Sequence, residues 1–556
     1  MIARWLRHNL GPLPKRPLAE AAAWGVLSTG AGLGLMATSG WLIARASQRP
    51  PIFELSIAIG AVQAFALGRG LTRYCSRLAV HGVSLATLAR LRVWLYDRVE
   101  PLVPNGLPQR GTGAVLTGFV ADTERVTRAL AGQVAATVDL TASIVLGAAI
   151  AAVLAPGAGV VLLGGALVMV AVALCTARMG RGGARDAAAT RARLADSVVD
   201  IVRSAPELLM YGREDLVEQE LDRAHQKARS AALRQAMATG FGRGSAALLA
   251  GAGVVAVVCT GLGAHRTGTL SGVDLTAITL VALAVFDQLL GLPTTLAAMG
   301  SGDAAARRLG DLARLEPAVR EPVVDHSPPT GAHDAALAGV RVMPPRADPD
   351  ARPILDDVSI RVQPGERVAL VGASGSGKTS ALQTLLHLLE ASSGVTSIGG
   401  VDVREMTRVG IAQHLSWLDA ETHVFTATLA DNLRLGSPHA SDRDCEKVLD
   451  RVGLSDWYRS LPHGLGTVVG AGGRPVSAGE RQRLGMARAL ISGACVVLLD
   501  EPTSHIDSAS SATILAELVG AAGSRSVLVV SHDQDIAAHV DRVVSLDAGR
   551  VIAATP

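Results

Sequence analysis

The stretch Val368-Ala-Leu-Val-Gly-Ala-Ser-Gly-Ser-Gly-Lys-Thr379 decides the fold of the C-terminal half of the chain. Its first four residues are apolar and predict a short strand, and a helical pattern follows Thr379. The segment between them has the spacing of a phosphate loop, G-x-x-x-x-G-K-[ST], whose backbone N–H groups wrap phosphates at a helix N-terminus. Lys378 is one of only four lysines in the sequence, which argues against a chance glycine-rich turn.

This loop is expected to bind the phosphates of ATP. Lys378 is expected to contact the β- and γ-phosphates, and the Thr379 hydroxyl is expected to ligate Mg²⁺. The predicted nucleotide contacts of the loop are Gly372, Ser374, Gly375, Ser376, Gly377, Lys378, Thr379 and Ser380. Alternating strand and helix patterns continue to the C-terminus and predict an α/β domain.

A second strand, Cys495-Val-Val-Leu-Leu-Asp-Glu501, ends in two carboxylates. Asp500 is expected to hold Mg²⁺, and Glu501 stands where a general base polarises the attacking water. Two solvated carboxylates at a strand end would explain this pair in isolation, but that explanation is weak beside a phosphate loop.

The N-terminal half consists of long segments without charge. Hydrophobic residues make up 49% of the chain and charged residues 18%, whereas soluble proteins carry about 25% charged residues. Residues 140–177 have no charged side chain and are interrupted at Pro156-Gly157, which predicts two membrane spans joined by a tight turn. Six spans are predicted in all, at about 19–46, 52–80, 131–155, 157–178, 244–264 and 275–300.

These patterns predict a transmembrane domain over 1–315 with long cytoplasmic extensions, a linker over 316–335 and an ATPase domain over 336–556. Basic residues before the first span predict a cytoplasmic N-terminus, and a signal peptide is the competing explanation. Short turns near 110–122 and 203–214 are expected to transmit movements of the ATPase domain. The net charge of +3 gives no argument for nucleic-acid binding, and the five scattered cysteines predict neither a disulfide framework nor a zinc site.

Three further segments accompany the phosphate loop and the carboxylate pair: Val476-Ser-Ala-Gly-Glu-Arg-Gln-Arg483, Ser504-His-Ile-Asp507 and Ser531-His532. In order and spacing the set resembles the nucleotide-binding domain of ABC transporters. The resemblance implies that two such domains sandwich ATP head to tail, with the signature segment of one chain against the ATP held by the other.

The resemblance also assigns roles to residues of these segments. Ser477, Gly479 and Glu480 would contact the ATP that lies on the partner's phosphate loop. Asp507 would lie at the dimer interface, and His532 would contact the γ-phosphate.

The chain departs from the family pattern at three places. The family's signature LSGGQ is Val476-Ser-Ala-Gly-Glu480 here. Ala420 occupies the position of the Q-loop glutamine, and the carboxylates on either side of it, Asp419 and Glu421, are the candidate replacements. Residues 332–372 contain no aromatic side chain that could stack on adenine. These departures predict two unequal ATP sites and a non-identical partner, whereas the retained carboxylate pair and histidine predict hydrolysis at the site on this chain's phosphate loop.

The membrane half resembles one family of half-transporters more closely. Ser39-Gly-Trp-Leu-Ile-Ala-Arg-Ala-Ser47, Pro50-Pro-Ile52 and Leu67-Gly-Arg-Gly-Leu-Thr-Arg-Tyr74 are similar to the CydC subunits of the ABC transporters of cytochrome bd biogenesis. The resemblance implies a multi-pass protein of the bacterial cytoplasmic membrane that pairs with a CydD-like half-transporter. It also implies either export of cysteine and glutathione or handling of haem, between which the motifs do not decide.

One face of the second predicted span carries basic side chains at steps of four: Arg69, Arg73, Arg77 and His81. Three guanidinium groups could hold carboxylates, and the imidazole of His81 could ligate the iron of haem b. A thiol such as glutathione would use only the arginines. The competing explanation is a set of solvated positive residues where the helix enters the cytoplasm. Asp139 and Asp287 also fall in or beside the spans, and each either faces the cavity or pairs between helices.

Together these features predict a membrane α-helical domain of six transmembrane helices of the ABC exporter type, fused to an α/β P-loop ATPase domain. ATP would close the ATPase domains, the inner helical extensions would transmit the closure, and hydrolysis would reset the cycle. Two alternatives stay open: a homodimeric lipid or drug exporter, for which intact signature motifs are expected, and a regulatory membrane ATPase that only binds ATP. The charge-free spans exclude a soluble P-loop enzyme.

Overall fold

The computed structural model describes residues 2–12, 14–106, 118–178, 198, 210–212, 214–344, 351–503, 508–532 and 534–555. The chain forms two compact units. The first unit is Met1–Glu100 with Gln109–Arg314, and the second is Pro101–Pro108 with Leu315–Pro556. Every strand among the described residues lies in the second unit.

The first unit is built from helices. They are α1 Ile2–Leu10, α2 Lys15–Ala46, α3 Ile52–Val99, α4 Thr123–Leu154, α5 Pro156–Arg178, α6 Glu214–Arg266, α7 Gly272–Leu289 and α8 Leu292–Ala313. Within the described residues, six helical segments are long and apolar enough to cross a membrane, and their most apolar windows have mean hydropathies from 1.3 to 2.6. The prediction of six spans is confirmed.

Small residues let the transmembrane helices approach one another closely. A Cβ at Gly147 would lie 2.4 Å from Val285 Cγ2, and a Cβ at Gly253 would lie 2.4 Å from Phe286 Cζ. Phe286 is 1% exposed and belongs to a core that takes apolar side chains from α2 and from α4 to α8. Because lipid tails are as apolar as these side chains, close packing rather than the hydrophobic effect stabilises such helix pairs.

Helix α3 continues beyond the predicted end of its span as an amphipathic extension. Its buried residues recur at steps of four: Val83, Thr87, Leu91, Leu95 and Val99. One face of the extension therefore packs against its neighbours while the rest stays accessible. The rings of Trp5 and Trp94 meet edge to face with centroids 5.5 Å apart, which holds α1 against this extension.

A buried carboxylate fastens the beginning of α4 to α8. Asp122 is 2% exposed and accepts hydrogen bonds from Arg308 Nε at 2.8 Å, from Arg308 Nη2 at 2.7 Å and from Arg125 Nη1 at 2.9 Å. The two-pronged bond to Arg308 is the strong geometry for an arginine and a carboxylate. It ties together two helices that are far apart in sequence.

The second unit is an α/β domain with two main sheets. Its strands are β1 Ala335–Val342, β2 Leu355–Val362, β3 Arg367–Val371, β4 Ser393–Ile398, β5 Val401–Asp402, β6 Leu415–Leu418, β7 Ala427–Thr428, β8 Val468–Val469, β9 Val496–Asp500, β10 Ser526–Ser531, β11 Arg542–Asp547 and β12 Arg550–Thr555. A six-stranded sheet has the order β12-β11-β3-β10-β9-β6 and is parallel except for β12. A four-stranded antiparallel sheet has the order β2-β1-β4-β5.

Helices lie between the strands along the chain of the second unit. They are α9 Lys378–Leu385, α10 Arg408–His414, α11 Leu429–Arg434, α12 Asp442–Arg451, α13 Ser455–Arg459, α14 Ala478–Ile491 and α15 Ser508–Ala521. Strands β9 and β10 are buried along their whole length, as expected for strands covered on both faces. The predicted α/β P-loop ATPase domain is confirmed.

The second unit also includes residues 101–106, which the sequence placed in the transmembrane domain. Asn105 Nδ2 donates to Leu388 O at 3.0 Å and to Gln383 Oε1 at 3.3 Å, and these bonds hold the segment against the turn that follows α9. The predicted turns near 110–122 and 203–214 lie for the most part outside the described residues.

Residues 315–334 form neither helix nor strand, yet their side chains are anchored. Asp325 Oδ1 accepts a hydrogen bond from Thr407 N at 2.8 Å, and Glu321 Oε1 accepts one from Arg408 N at 2.8 Å. Both carboxylates thereby satisfy N–H groups at the start of α10, where negative charge is favourable.

Candidate ATP-binding and hydrolysis site

The phosphate loop joins the end of β3 to the start of α9. Gly375 and Gly377 have φ values of +80° and +103°, in the region that favours glycine. A Cβ at Gly372 would lie 2.1 Å from Leu546 O, so the start of the loop has no room for a side chain. The glycine pattern that the sequence shows therefore has a steric cause in this fold.

The Lys378 side chain is held inside the loop. It is 5% exposed, and its Nζ donates to Gly372 O at 2.8 Å and to Ala373 O at 3.0 Å. Two of its three N–H donors are satisfied in this way, and one is left for a phosphate oxygen. The predicted role of Lys378 is compatible with this geometry.

The two predicted Mg²⁺ ligands meet. Thr379 Oγ1 donates to Asp500 Oδ1 at 3.2 Å, and Asp500 is 1% exposed. The second oxygen, Asp500 Oδ2, is buried without a hydrogen-bond partner among the described residues. Burial, with smaller effects from the carboxylates of Asp419 and Glu501, raises the pKa of Asp500 to about 6.

These features fit a divalent cation. Hydroxyl and carboxylate oxygens suit Mg²⁺, which proteins hold through one or two such ligands together with nucleotide phosphates. No three His, Cys, Asp or Glu side chains converge as a metal cluster in the part of the chain that the structure describes. Thr379 and Asp500 are therefore the protein groups that would hold the ion. Its positive charge would compensate the buried carboxylate and would polarise the phosphate oxygens.

The predicted catalytic pair is brought together at the ends of β9 and β10. Glu501 has a φ of +39°, and its N–H donates to Val530 O at 3.0 Å. This backbone conformation costs a non-glycine residue about 1–3 kcal/mol, and such strain concentrates at functional sites. His532 Nδ1 lies 4.0 Å from Glu501 Oε2, and both side chains are partly accessible to water. The structure therefore brings together the two side chains that the sequence predicts to act on the attacking water and on the terminal phosphate.

The signature segment forms the N-terminus of α14. Ser477 Oγ accepts a hydrogen bond from Glu480 N at 3.3 Å, and Glu480 Oε2 accepts one from Ser477 N at 2.8 Å, which is a capping box. Within this chain both side chains therefore have a structural role. A Cβ at Gly479 would meet nothing within 4 Å, so its outer side is open. Asp507, predicted to lie at the dimer interface, is outside the described residues.

The loop that lacks the Q-loop glutamine is tied to α14 by a residue that the sequence analysis did not single out. Gln482 is 3% exposed, its Nε2 donates to Ala420 O at 2.8 Å, and its Oε1 accepts from Thr422 Oγ1 at 3.2 Å. Gln482 lies inside the signature segment, and this position is the feature of the sequence that could have indicated its role. These hydrogen bonds join the loop at Ala420, which lies near the expected Mg²⁺ ligands, to the signature segment, which is expected to face the partner.

Of the two candidate replacements for the missing glutamine, Asp419 lies closer to the metal ligands. Strands β6 and β9 pair in parallel with Leu418 opposite Leu499, so Asp419 follows directly beside Asp500. Although Asp419 is exposed to solvent on one side, partial desolvation by the protein on the other side raises its pKa, and its charge in turn disfavours ionisation of Asp500.

The four residues of the predicted basic stripe lie on the single continuous helix α3. Arg69 is half-buried, and Gly32 makes room for it, because a Cβ there would lie 3.4 Å from Arg69 Nε. Arg73, Arg77 and His81 are exposed on this chain. None of the four forms an ion pair within 4 Å among the described residues.

Comparisons with known proteins find a match for each of the two units. A model of the ABC transporter transmembrane region matches residues 38–289, and an ABC transporter model matches residues 355–504. A bacterial Atm1-family ABC exporter with ATP bound has the same fold, with a TM-score of 0.82 at 20% identity over 97% of this chain and 95% of the exporter.

Two relatives are similar over nearly the whole length. The glutathione/L-cysteine transport system ATP-binding/permease protein CydC of Escherichia coli (strain K12) is 26% identical over 94% of this chain and 91% of its own. The protein of the same name from Haemophilus influenzae is 25% identical over 97% and 94%. ATP and Mg²⁺ binding, and ATP hydrolysis coupled to transport, follow from these matches and from the site. Its two units, its ATP site and its matches over both regions show an ABC transporter transmembrane region joined to an ABC transporter ATPase domain, in a chain that is similar to CydC over nearly its whole length.

Proposed function

We propose that this chain is one half of a heterodimeric ABC exporter that pairs with a CydD-like half-transporter in the bacterial cytoplasmic membrane. Its ATPase domain lies in the cytoplasm, and ATP hydrolysis drives a carboxylate-bearing small molecule across the membrane. The cargo is cysteine or glutathione, or haem, and transport serves cytochrome bd assembly. The observation that carries this proposal is that the residues expected to hydrolyse ATP are retained while the signature segment and the Q-loop are altered.

That combination favours two different subunits. We assign hydrolysis of the ATP on this chain's phosphate loop to Lys378, Thr379, Asp500, Glu501 and His532, and their contacts support the assignment. The altered signature segment would instead serve ATP held by the partner. A homodimer would carry the alteration at both sites, whereas a heterodimer carries it at one.

The first unit presents a surface that suits a partner. The most apolar window of Ile52–Leu102 is 0% buried within this chain. Its exposed side chains include Ile57 at 85% and Leu67 at 77%. Such a surface needs lipid or a second set of helices, and the basic stripe on the same helix would then line the space between two subunits.

The positions of the side chains support the following chemistry at the ATP site. Lys378 binds the β- and γ-phosphates, and Thr379 with Asp500 holds Mg²⁺. Glu501 accepts a proton from the attacking water, and His532 donates a hydrogen bond to the terminal phosphate. Closure of two ATPase domains around ATP opens the spans to the outside, and hydrolysis with product release resets them.

Two arguments bear on the cargo. The similar relatives are named as glutathione/L-cysteine transport proteins, which favours thiol reductants. The stripe of three arginines and a histidine at one helix face favours a ligand with two carboxylates and a metal, as haem has. Both classes of cargo carry a carboxylate, which would bind to Arg69, Arg73 or Arg77.

The test is the ATPase rate of the chain purified together with its CydD-like partner. Haemin, cysteine and glutathione are titrated in separate series, and the Glu501→Gln variant gives the background rate. We expect severalfold stimulation by one of the two cargo classes. Equal rates in every series would contradict transport of these molecules, and full activity of the chain without its partner would support a homodimer instead.

A further inference from the structure

A group of basic side chains lies where the chain enters its first apolar helix. Residues 1–19 contain four such side chains and no carboxylate: Arg4, Arg7, Lys15 and Arg16. All four are exposed, and none forms an ion pair among the described residues. Helix α2 begins at Lys15 and its charge-free stretch begins at residue 21, so Lys15 and Arg16 lie at one boundary of the first span.

Helix α1 holds two of these cations in a fixed place. Its Leu6 is 0% exposed and belongs to a core that takes apolar side chains from α3, α4 and α8. Its Trp5 ring packs edge to face against Trp94 of α3. Arg4 and Arg7 flank this anchor and remain exposed, so α1 has an apolar face against the protein and a basic face outward.

A fifth cation joins the group from helix α3. Arg90 Nη2 donates a hydrogen bond to Leu10 O at the C-terminal end of α1, and the Arg90 side chain is exposed. This bond satisfies a carbonyl that the end of α1 leaves open and brings the guanidinium to the turn between α1 and α2. Glu20 is the only acid among residues 1–53, and in the described part of the chain it forms no ion pair with the five cations. The group therefore has a surplus of positive charge.

Apolar surface lies directly beside these cations. A small cleft between α2, α3 and α4 begins within one turn of Lys15 and is lined almost entirely by apolar side chains, among them Leu18, Ala21, Val80, Val83, Leu130 and Val134. A free phosphate would have no use for such a surface. A phospholipid combines an anionic phosphate with apolar chains, and it meets the protein at the boundary where both surfaces lie.

We propose that Arg4, Arg7, Lys15, Arg16 and Arg90 bind the headgroup of an anionic phospholipid. The phosphodiester accepts hydrogen bonds from the guanidinium and ammonium groups, and the first methylenes of an acyl chain cover the cleft. Four to eight Lys and Arg side chains beside a span, or on an amphipathic helix, attract anionic lipid in this way. The site goes beyond the proposed export function and does not depend on the identity of the cargo.

The test is a lipid titration on the detergent-purified complex of the chain with its partner. Dioleoyl phosphatidylglycerol and dioleoyl phosphatidylcholine are added in separate series, and native mass spectrometry counts the bound lipids. We expect Lys15→Gln combined with Arg16→Gln to weaken the binding of one phosphatidylglycerol per complex about tenfold. Arg443→Gln combined with Lys447→Gln removes the same charge from exposed positions of α12 and is the matched control, which should bind like wild type.

Further arms separate a lipid site from a general anion site. Added KCl should weaken binding of phosphatidylglycerol to the wild-type complex, because salt screens exposed charges. Glycerol 3-phosphate, at the concentration of the lipid, should not displace it. If the span variant fails to assemble, Arg4→Gln combined with Arg7→Gln keeps the apolar anchor of α1 and should weaken binding in the same direction.

Three results would overturn the inference. The first is wild-type affinity for phosphatidylglycerol in an assembled variant complex. The second is equal affinity of the wild-type complex for the two lipids. The third is displacement of the lipid by glycerol 3-phosphate, which would show that the cations bind any phosphate. Each of them leaves the proposed export function standing.

Discussion

Thr379 Oγ1 and Asp500 Oδ1 lie 3.2 Å apart, and this contact joins the first turn of α9 to the end of β9 in the parallel sheet. This short contact defines where a metal ion and the terminal phosphates would be held. Lys378 lies beside Thr379 at the start of α9, and His532 follows the neighbouring strand β10.

Glu501→Gln is expected to stop hydrolysis and to retain nucleotide binding. Loss of a positioned general base typically costs about 10²–10⁴-fold in rate, while the amide keeps the size of the side chain. The check is phosphate release by the heterodimer together with a nucleotide-binding assay. Glu390→Gln, at an exposed site after α9, is the control and should keep the wild-type rate. A Glu501→Gln complex that hydrolyses ATP at the wild-type rate would remove Glu501 from the mechanism.

Asp500 gives the metal-free protein a pH-dependent stability. Its pKa is raised from the ordinary value of 3.8 to about 6, so the folded state binds more protons than the unfolded state between these values. Stability should therefore fall as the pH rises through that window, and Asp500→Asn should remove the fall. In the presence of EDTA at ~pH 7.5, we expect Asp500→Asn to be more stable by at most about 3 kcal/mol.

The measurement is thermal unfolding of the complex as a function of pH. The difference between Asp500→Asn and wild type should shrink toward pH ~4. Asp456→Asn, on an exposed side chain, provides the control. A difference that stays constant across the pH range would show that Asp500 does not titrate as its burial requires.

Asp419 is expected to support metal binding in place of the missing glutamine. Because it follows β6 directly beside Asp500, Asp419→Asn should raise the Mg²⁺ concentration for half-maximal ATPase activity severalfold. Glu421→Gln, two residues further on and exposed, should leave that concentration unchanged. Equal shifts for both variants would mean a general effect of negative charge rather than a role at the metal.

Gln482→Leu is expected to loosen the loop at Ala420 from α14. The change breaks two hydrogen bonds and leaves Ala420 O without its donor. A buried unsatisfied group costs about 1–3 kcal/mol, so the melting temperature should drop by several degrees. The exposed Gln413 offers a control substitution, Gln413→Leu. If cargo still stimulates the ATPase normally in Gln482→Leu, the contact is structural and does not couple the two ends of the site.

His81→Ala tests whether the stripe ligates haem iron. If the imidazole is the axial ligand, the variant complex should lose the haem absorbance of the wild type or show a clear shift of the Soret band. Wild-type spectra from the His81→Ala complex would leave the arginines as the only groups of the stripe that contact cargo.

Local patterns in the sequence were sufficient to predict the phosphate loop, the carboxylates at the end of β9 and the six apolar spans. Each depends on residues that are adjacent or periodic in the chain. The hydrogen bonds of Gln482 to Ala420 and of Arg308 to Asp122 join residues that are 62 and 186 positions apart, and no periodic pattern in the sequence predicts them. Asn105, likewise, belongs to the second unit, and hydropathy does not show which surface such a short polar segment binds.

The most direct test of the account is ATP-dependent uptake into inverted membrane vesicles that contain both half-transporters. We predict uptake of radiolabelled glutathione or of haem that requires ATP, requires both chains and is lost in Glu501→Gln. Uptake that persists in Glu501→Gln, or that this chain supports without its partner, would contradict an ATP-driven heterodimeric exporter.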